Sequence, residues 1–261
     1  MVKIISLVNQ KGGVGKTTTS INLAASLGKL GKSTLLIDLD PQGNATTGLG
    51  IDKGSIEQSV YDVLTDKCEI KKAIVKTKFK GLFVLPATIN LAGLDMELIQ
   101  MEYRDSEFKK NEQLKKTLDS VKEQFDYIII DCPPSLGLNT MNALVASNSV
   151  LIPVQCEFFA LEGVAQLLNT VIMTQTKLNP NLTIEGVLLT LLDSRTNLGL
   201  EVVEQVRKVF GDKVFNTIIP RLVRLVEAPS HGKPICEYDP LCRATEAYLN
   251  LAKEVIDRDG N

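Results

Sequence analysis

The feature that most restricts the fold lies within the first thirty residues. An apolar run, residues 4–8, breaks into Asn9-Gln10-Lys11-Gly12-Gly13-Val14-Gly15-Lys16-Thr17-Thr18, and a helical pattern over residues 17–30 starts at once. Glycines let backbone N–H groups turn inward around an anion. The following helix presents its free N–H groups and the positive end of its dipole to the same point. A strand, a glycine loop and a helix in that order form a phosphate-binding unit of an α/β fold. Lys16 is expected to reach the β- and γ-phosphates, and the Thr17 hydroxyl to bind Mg²⁺. Lys11, Gly12, Gly13, Val14, Gly15 and Thr18 complete the cradle. The expected ligands are ATP or ADP with Mg²⁺.

The rest of the chain repeats the alternation. Apolar, β-rich runs occur at residues 2–8, 34–38, 82–86, 127–131, 150–154, 185–192 and 215–220. They are mostly continuous, as strands buried on both faces of a parallel sheet are. Helical patterns at residues 139–146, 162–177 and 200–210 lie between them. This predicts an α/β, doubly wound, mostly parallel sheet with helices on both faces, built as one domain over residues 1–261. The charged stretch 103–116 reads as the solvated face of a helix. The last pattern, 244–257, has Tyr248, Leu251, Ala252, Val255 and Ile256 on one side, and Glu246, Asn250, Lys253, Glu254 and Asp257 on the other. A membrane-surface helix would carry lysine and arginine there, so no membrane partner is expected.

Composition narrows the class. Hydrophobic residues make up 44%, charged residues 23%, and the net charge is −2, which is ordinary for a globular protein. No apolar run approaches the roughly 20 residues that span a bilayer. The start runs straight into the glycine loop and leaves no room for a signal peptide, so a cytoplasmic location is expected. The five cysteines form no CxxC pair, which argues against a zinc site or a disulfide framework and for reduced thiols. His231 has no acid–base partner in its Ser-His-Gly setting and reads as structural.

Two acidic segments follow strand patterns. Residues 34–38 lead into Asp38-Leu39-Asp40-Pro41-Gln42-Gly43-Asn44. An acid just past a strand's carboxyl end faces the ligand crevice of a doubly wound sheet. Asp40 is placed to orient an attacking water or accept its proton. Asp38 is expected to support the water shell of the metal or the loop. Residues 127–131 end in Asp131, before Cys132-Pro133-Pro134-Ser135. An apolar strand ending in one aspartate is the Walker B arrangement, with Asp131 holding Mg²⁺ through a water.

The glycine loop departs from its usual form, because Gln10 stands where a glycine is expected and Lys11 follows it. With the Asp-Leu-Asp-Pro-Gln-Gly-Asn segment and the Asp-Cys-Pro-Pro segment, it resembles the ParA/MinD family of deviant P-loop ATPases. Residues 155–163 (Gln-Cys-Glu-Phe-Phe-Ala-Leu-Glu-Gly), 220–229 (Pro-Arg-Leu-Val-Arg-Leu-Val-Glu-Ala-Pro), 230–235 and 238–240 are similar to segments of the small, Soj-like ParA proteins. The resemblance covers nearly the whole chain. It implies a P-loop NTPase fold and an ATP-dependent homodimer that sandwiches two ATP molecules. Gly12 then lets the second subunit approach, and Lys11 reaches the partner's phosphates. Asp40 is implied for hydrolysis, which is weak alone and stimulated by a ParB-like partner.

The resemblance also implies a nucleoid-associated role in chromosome or plasmid partitioning, with sequence-independent binding of double-stranded DNA. Arg195, Arg221, Arg224, Lys233 and Arg243 are the expected phosphate contacts. Two departures stand out. Leu222 replaces an asparagine that lies near the adenine in the family, so base selection is expected either to rest on backbone groups around Pro220 beside Leu222 or to be looser. Leu241 replaces a basic residue, which removes one expected DNA contact. Two alternatives share the motifs: an ATPase that positions another cargo, and a small-molecule or metal-handling enzyme of the same superfamily.

Overall fold

Strand β1 (Lys3–Leu7) shows why its run is apolar throughout. Ile4 packs into the core on one side, while Ile5 and Leu7 pack into the core on the other. Side chains alternate across a strand, so a strand covered on both faces is apolar at every step. In β2 (Thr34–Asp38), Leu35 and Ile37 face one core and Leu36 the other. The remaining strands are β3 (Val75–Lys76), β4 (Leu82–Leu85), β5 (Tyr127–Asp131), β6 (Ser149–Gln155) and β7 (Thr183–Thr190). The computed structural model describes residues 2–157, 160–161 and 164–259.

The strands form one seven-stranded sheet in the order β3-β4-β2-β5-β1-β6-β7. Every pairing is parallel except β3 with β4. In chain order the helices are α1 (Lys16–Lys29), α2 (Asn44–Gly48), α3 (Val60–Leu64), α4 (Ile70–Ala73), α5 (Leu94–Arg104), α6 (Gln113–Leu118), α7 (Leu138–Ala146), α8 (Val164–Lys177), α9 (Asn197–Phe210), α10 (Val223–Ser230), α11 (Ile235–Tyr238) and α12 (Arg243–Asp259). One face of the sheet is covered by α3 to α9, through residues such as Leu94, Leu114, Leu144, Leu167 and Val206. The other is covered by α1, α10, α11 and α12, through Leu23, Leu27, Leu225, Ile235, Tyr248 and Leu251. Burying each such side chain contributes about 1.5–3 kcal/mol, so these two layers dominate stability. This is the doubly wound fold that the alternation predicts.

Three expectations differ from what forms. Residues 215–220 are not a strand. The Phe215 and Ile219 N–H groups bond to Val187 and Leu189 of β7, but those of Asn216 and Thr217 donate to the Glu254 carboxylate at 2.8 and 3.1 Å. A side chain of α12 thus takes the amides that a ladder would use. The charged stretch 103–116 is not one helix face. Helix α5 ends at Arg104, where the Asp105 carboxylate accepts from the Glu107 N–H at 2.9 Å and turns the chain. Strand β3 has two exposed residues, too few to make a periodic signal.

The sheet places the acids. In the registers, Asp131 lies opposite Asp38 on one side and Leu7 on the other. The carboxyl ends of β2, β5 and β1 therefore meet at one level, where the glycine loop begins. Among the described residues no helix is long and apolar enough to cross a membrane.

Candidate nucleotide site

The loop between β1 and α1 is held open by backbone conformation. Gly13 and Gly15 have φ of 76° and 85°, in the left-handed region where only glycine is free of strain. Gly15 caps α1 without a side-chain acceptor, so the first N–H groups of the helix stay available to an anion. The loop is clamped from outside. Asn9 Nδ2 donates to the Pro153 carbonyl at 2.7 Å, and the Lys11 N–H donates to Asn9 Oδ1 at 3.0 Å. The Thr190 hydroxyl donates to the Val14 carbonyl at 2.8 Å, and the Val14 side chain is buried. The sequence reading missed both clamps. Asn9 stands beside the motif and was within reach, whereas Thr190 comes from β7 and only the fold brings it here.

Lys16 is buried and donates to the Lys11 carbonyl at 3.0 Å. Burial lowers its pKa, while the negative charges of Asp131 and Asp40 work the other way. Asp131 Oδ1 accepts from the Ser20 hydroxyl at 2.8 Å. Its other oxygen is buried with no hydrogen-bond partner among the described residues. Burial, then the nearby Asp38, push the Asp131 carboxyl up to about 7, against the Thr17 and Ser20 hydroxyls. An unpartnered carboxylate oxygen, a neighbouring threonine hydroxyl and a second acid are hard oxygen donors that fit Mg²⁺. Among the described residues no cluster of three or more His, Cys, Asp or Glu side chains is arranged to hold a metal. The site thus fits an ion that completes its shell with phosphate and water.

Asp38 is fully buried and its two oxygens serve the loop. Oδ2 accepts from the Thr46 N–H at 2.8 Å and hydroxyl at 2.7 Å, and Oδ1 from the Asp40 N–H at 3.2 Å. Burial raises its carboxyl to about 6 despite these bonds. Asp40 is half-buried, and its carboxylate accepts from the Gln42 N–H at 2.9 Å.

Beyond Gly15 and Thr18 opens a cavity of about 400 Å³, walled by Thr190, Leu191, Leu222, Leu225, Val226, Pro229 and Tyr248. Leu191 holds φ at 54°, a left-handed conformation that is strained for a leucine. Tyr248 is fixed by its hydroxyl, 3.3 Å from that of Thr19. Leu222 lines this cavity. Pro220 does not; its side chain lines a shallower groove with Asn216 and Arg243.

The basic residues are exposed, but three of them are paired. Arg195 forks onto Asp193 at 2.8 and 2.7 Å and holds that carboxyl down at about 2. Arg221 meets Glu157 at 2.9 Å, and its charge also favours ionised Asp193. Arg224 meets Glu227 at 3.2 Å and Asp239 at 3.6 Å, and lies over the Tyr238 ring. Lys233 and Arg243 are exposed, Arg243 on the groove beside Pro220. His231 stacks on Tyr238 with ring centres 5.0 Å apart. In the segment 155–163, residues 158, 159, 162 and 163 lie outside the described residues. Cys132, Cys156 and Cys236 are buried, and burial pushes each thiol up, the last two to about 11, which makes them poor nucleophiles.

Known proteins share this arrangement. The profile of a family described as an AAA domain matches residues 2–184. The chain is 60% identical over 255 residues to the sporulation initiation inhibitor protein Soj of Bacillus subtilis (strain 168), with 98% of each chain covered. It is 52% identical to the chromosome-partitioning ATPase Soj of Treponema pallidum (strain Nichols), over 100% of this chain and 99% of the relative. The chain belongs to the Soj/ParA family of chromosome-partitioning ATPases. The fold of this Soj/ParA member recurs in solved structures. A Mycobacterium smegmatis protein described as cobyrinic acid a,c-diamide synthase, with ADP and magnesium, is 36% identical, with a TM-score of 0.86 over 100% of this chain and 96% of its own. The MinD protein of Pyrococcus horikoshii, with Mg-ADP, is 27% identical, with a TM-score of 0.81 over 100% and 98%.

Proposed function

We propose that this chain is an ATP-switched partitioning ATPase that acts on a chromosome or plasmid. Its ATP-bound homodimer holds double-stranded DNA without sequence preference, and hydrolysis stimulated by a ParB-like partner releases it. The observation that carries the nucleotide reading is Asp131, whose buried oxygen has no partner at the mouth of a clamped glycine loop. ATP and ADP are the nucleotides, with Lys11, Gly12, Gly13, Val14, Gly15, Lys16, Thr17 and Thr18 around the phosphates and Leu222 at the base. Mg²⁺, held by Thr17 and through water by Asp131, neutralises phosphate charge when bound.

The chain's own groups do the rest. The N–H groups of the loop and of the first turn of α1 bind the phosphate oxygens. Lys16 leaves the Lys11 carbonyl for the β- and γ-phosphates, and the acids around it favour its charged form against the burial that lowers its pKa. Asp40, fixed through its own N–H by Asp38, orients the water for attack. Of the two supports expected of Asp38, its hydrogen bonds favour the loop over the metal's water shell. Lys11 supplies a cation to the partner's phosphates. Gly12 supports this dimer reading, because its φ lies outside the left-handed region and an added Cβ would meet no atom within 4 Å among the described residues beyond its two chain neighbours. The reason for glycine there lies outside the fold of one chain.

Of the five expected DNA contacts, Lys233 and Arg243 have no ion pair among the described residues, while Arg195, Arg221 and Arg224 exchange a carboxylate for a phosphate. Such exchange makes binding steeply salt-dependent. Retention of mixed-sequence DNA with ATP, with ADP and without nucleotide tests the whole reading. The expected result is retention with ATP alone, and equal retention in all three refutes the switch. A second reading, a small-molecule enzyme, is favoured by the 36% match to the synthase and predicts no retention under any condition.

A further inference from the structure

The peptide unit between Leu39 and Asp40 is held from both sides. Its N–H, that of Asp40, donates to Asp38 Oδ1 at 3.2 Å. Its carbonyl, that of Leu39, accepts from Asn139 Nδ2 at 3.2 Å. The Leu39 N–H also donates to the Asp131 carbonyl at 2.9 Å. Asp131, the last residue of β5, and Asn139, the second residue of α7, flank the loop 132–137. Both ends of that loop therefore grip one residue, Leu39, directly before Asp40. The loop is tied to the start of α7 as well. The Thr140 hydroxyl donates to the Ser135 carbonyl at 2.6 Å, and the Met141 N–H to the Gly137 carbonyl at 3.0 Å.

Asn139 is only 8% exposed, and its Oδ1 has no hydrogen-bond partner among the described residues. A buried acceptor left unsatisfied is destabilising, and a leucine of similar volume would avoid it. Packing therefore does not account for an amide here, whereas its donor has a specific target. We propose that Asn139 is a positioning residue for hydrolysis. Its amide couples the loop after Asp131 to Asp40 through the Leu39 carbonyl, so both loops enter the hydrolytic geometry together. This rests on reading Asp40 as the residue that orients water. With the carbonyl released, the peptide unit turns about its remaining bond, and the Asp40 carboxylate swings with it. Small displacements of a positioning group cost large factors in rate.

The test compares single-turnover ATP hydrolysis in Asn139→Leu, Asn139→Ser and Asn139→Gln with the parent chain, in full-length protein with Mg²⁺. The leucine variant removes the donor at similar volume, the serine variant cannot overfill the site, and the glutamine variant restores an amide. The expected result is a rate about tenfold lower in the first two, with ATP affinity within about twofold, and partial recovery with glutamine. Hydrogen exchange with an ATP analogue is expected to protect the amides of Leu39, Asp40 and Gln42 and those of Ser135, Leu136 and Gly137 together in the parent, with protection in 39–42 lost in the leucine variant. Parent rates in either folded variant, or unchanged protection of 39–42, overturn the coupling. Asp40→Ala is measured alongside. If it still hydrolyses ATP, the reading of Asp40 fails; if it is inactive while Asn139→Leu matches the parent, only the coupling fails.

Discussion

Lys16 and Asp131 show how far single side chains decide this site. Lys16 has a local role that its motif makes legible, and Lys16→Ala is expected to abolish nucleotide binding; normal ATP affinity by calorimetry would contradict it. Asp131 was legible as an acid at a strand's carboxyl end, but its unpartnered oxygen and its place opposite Asp38 needed the strand register. Its carboxyl is raised, so the stability it lends without nucleotide is full below the unfolded value, near 4, and is lost as pH rises through about 7. A cation needs the ionised form. The magnesium-dependent part of the thermal shift given by ADP is therefore expected to grow between about pH 6 and pH 8, and to be flat in Asp131→Asn. Equal increments across that range in the parent chain would show that the carboxyl is already ionised at the acid end. Thr190→Val keeps the shape but removes the bond to the Val14 carbonyl, and is expected to weaken ADP binding several-fold at a stability loss of about 1 kcal/mol. Unchanged ADP affinity would mean that the loop holds its shape without β7.

At the scale of elements, local signals were read well and distant ones were not. β1, its loop and α1 follow each other without a break, so motif and period agreed. β5 carried its meaning in five residues. Residues 215–220 have the composition of a strand, and Phe215 and Ile219 are buried as strand residues would be. What keeps the segment off the ladder is Glu254, whose carboxylate takes two amides and also pairs with Arg258 at 3.1 Å. Nothing within residues 215–220 announces a partner in the last helix. Glu254→Ala is expected to destabilise the chain by about 2 kcal/mol in urea unfolding, because two charge-assisted bonds go at a partly buried site. A change below about 0.5 kcal/mol would place the restraint in the burial of Phe215 instead.

At the scale of the molecule, the dimer and DNA are the expectations that come from the family. Asp40→Ala is expected to form a long-lived ATP-dependent dimer by size-exclusion chromatography, since assembly then outlasts the missing hydrolysis. A monomer in ATP would remove Asp40 from that role. Arg224→Ala is expected to weaken DNA retention with ATPase activity kept, and unchanged retention across a salt series would count against the basic face. That face was only half legible. Sequence located the arginines, and two of the acids that meet them stand close by, Asp193 for Arg195 and Glu227 for Arg224, but Glu157 for Arg221 and Asp239 for Arg224 come from other segments.

The two edges of the sheet also limit how copies of this protein can meet. On one side the segment held by Glu254 lies along β7 without offering a ladder of its own. On the other, the outer strand β3 is two residues long and runs against its neighbour. Open strand edges invite neighbours to add on without limit. Here both margins are blunt, so sideways growth into fibres is disfavoured. The ATP dimer proposed above needs no strand edge: it would form at the loop end of the strands, where a ligand can make the contact and its loss can undo it.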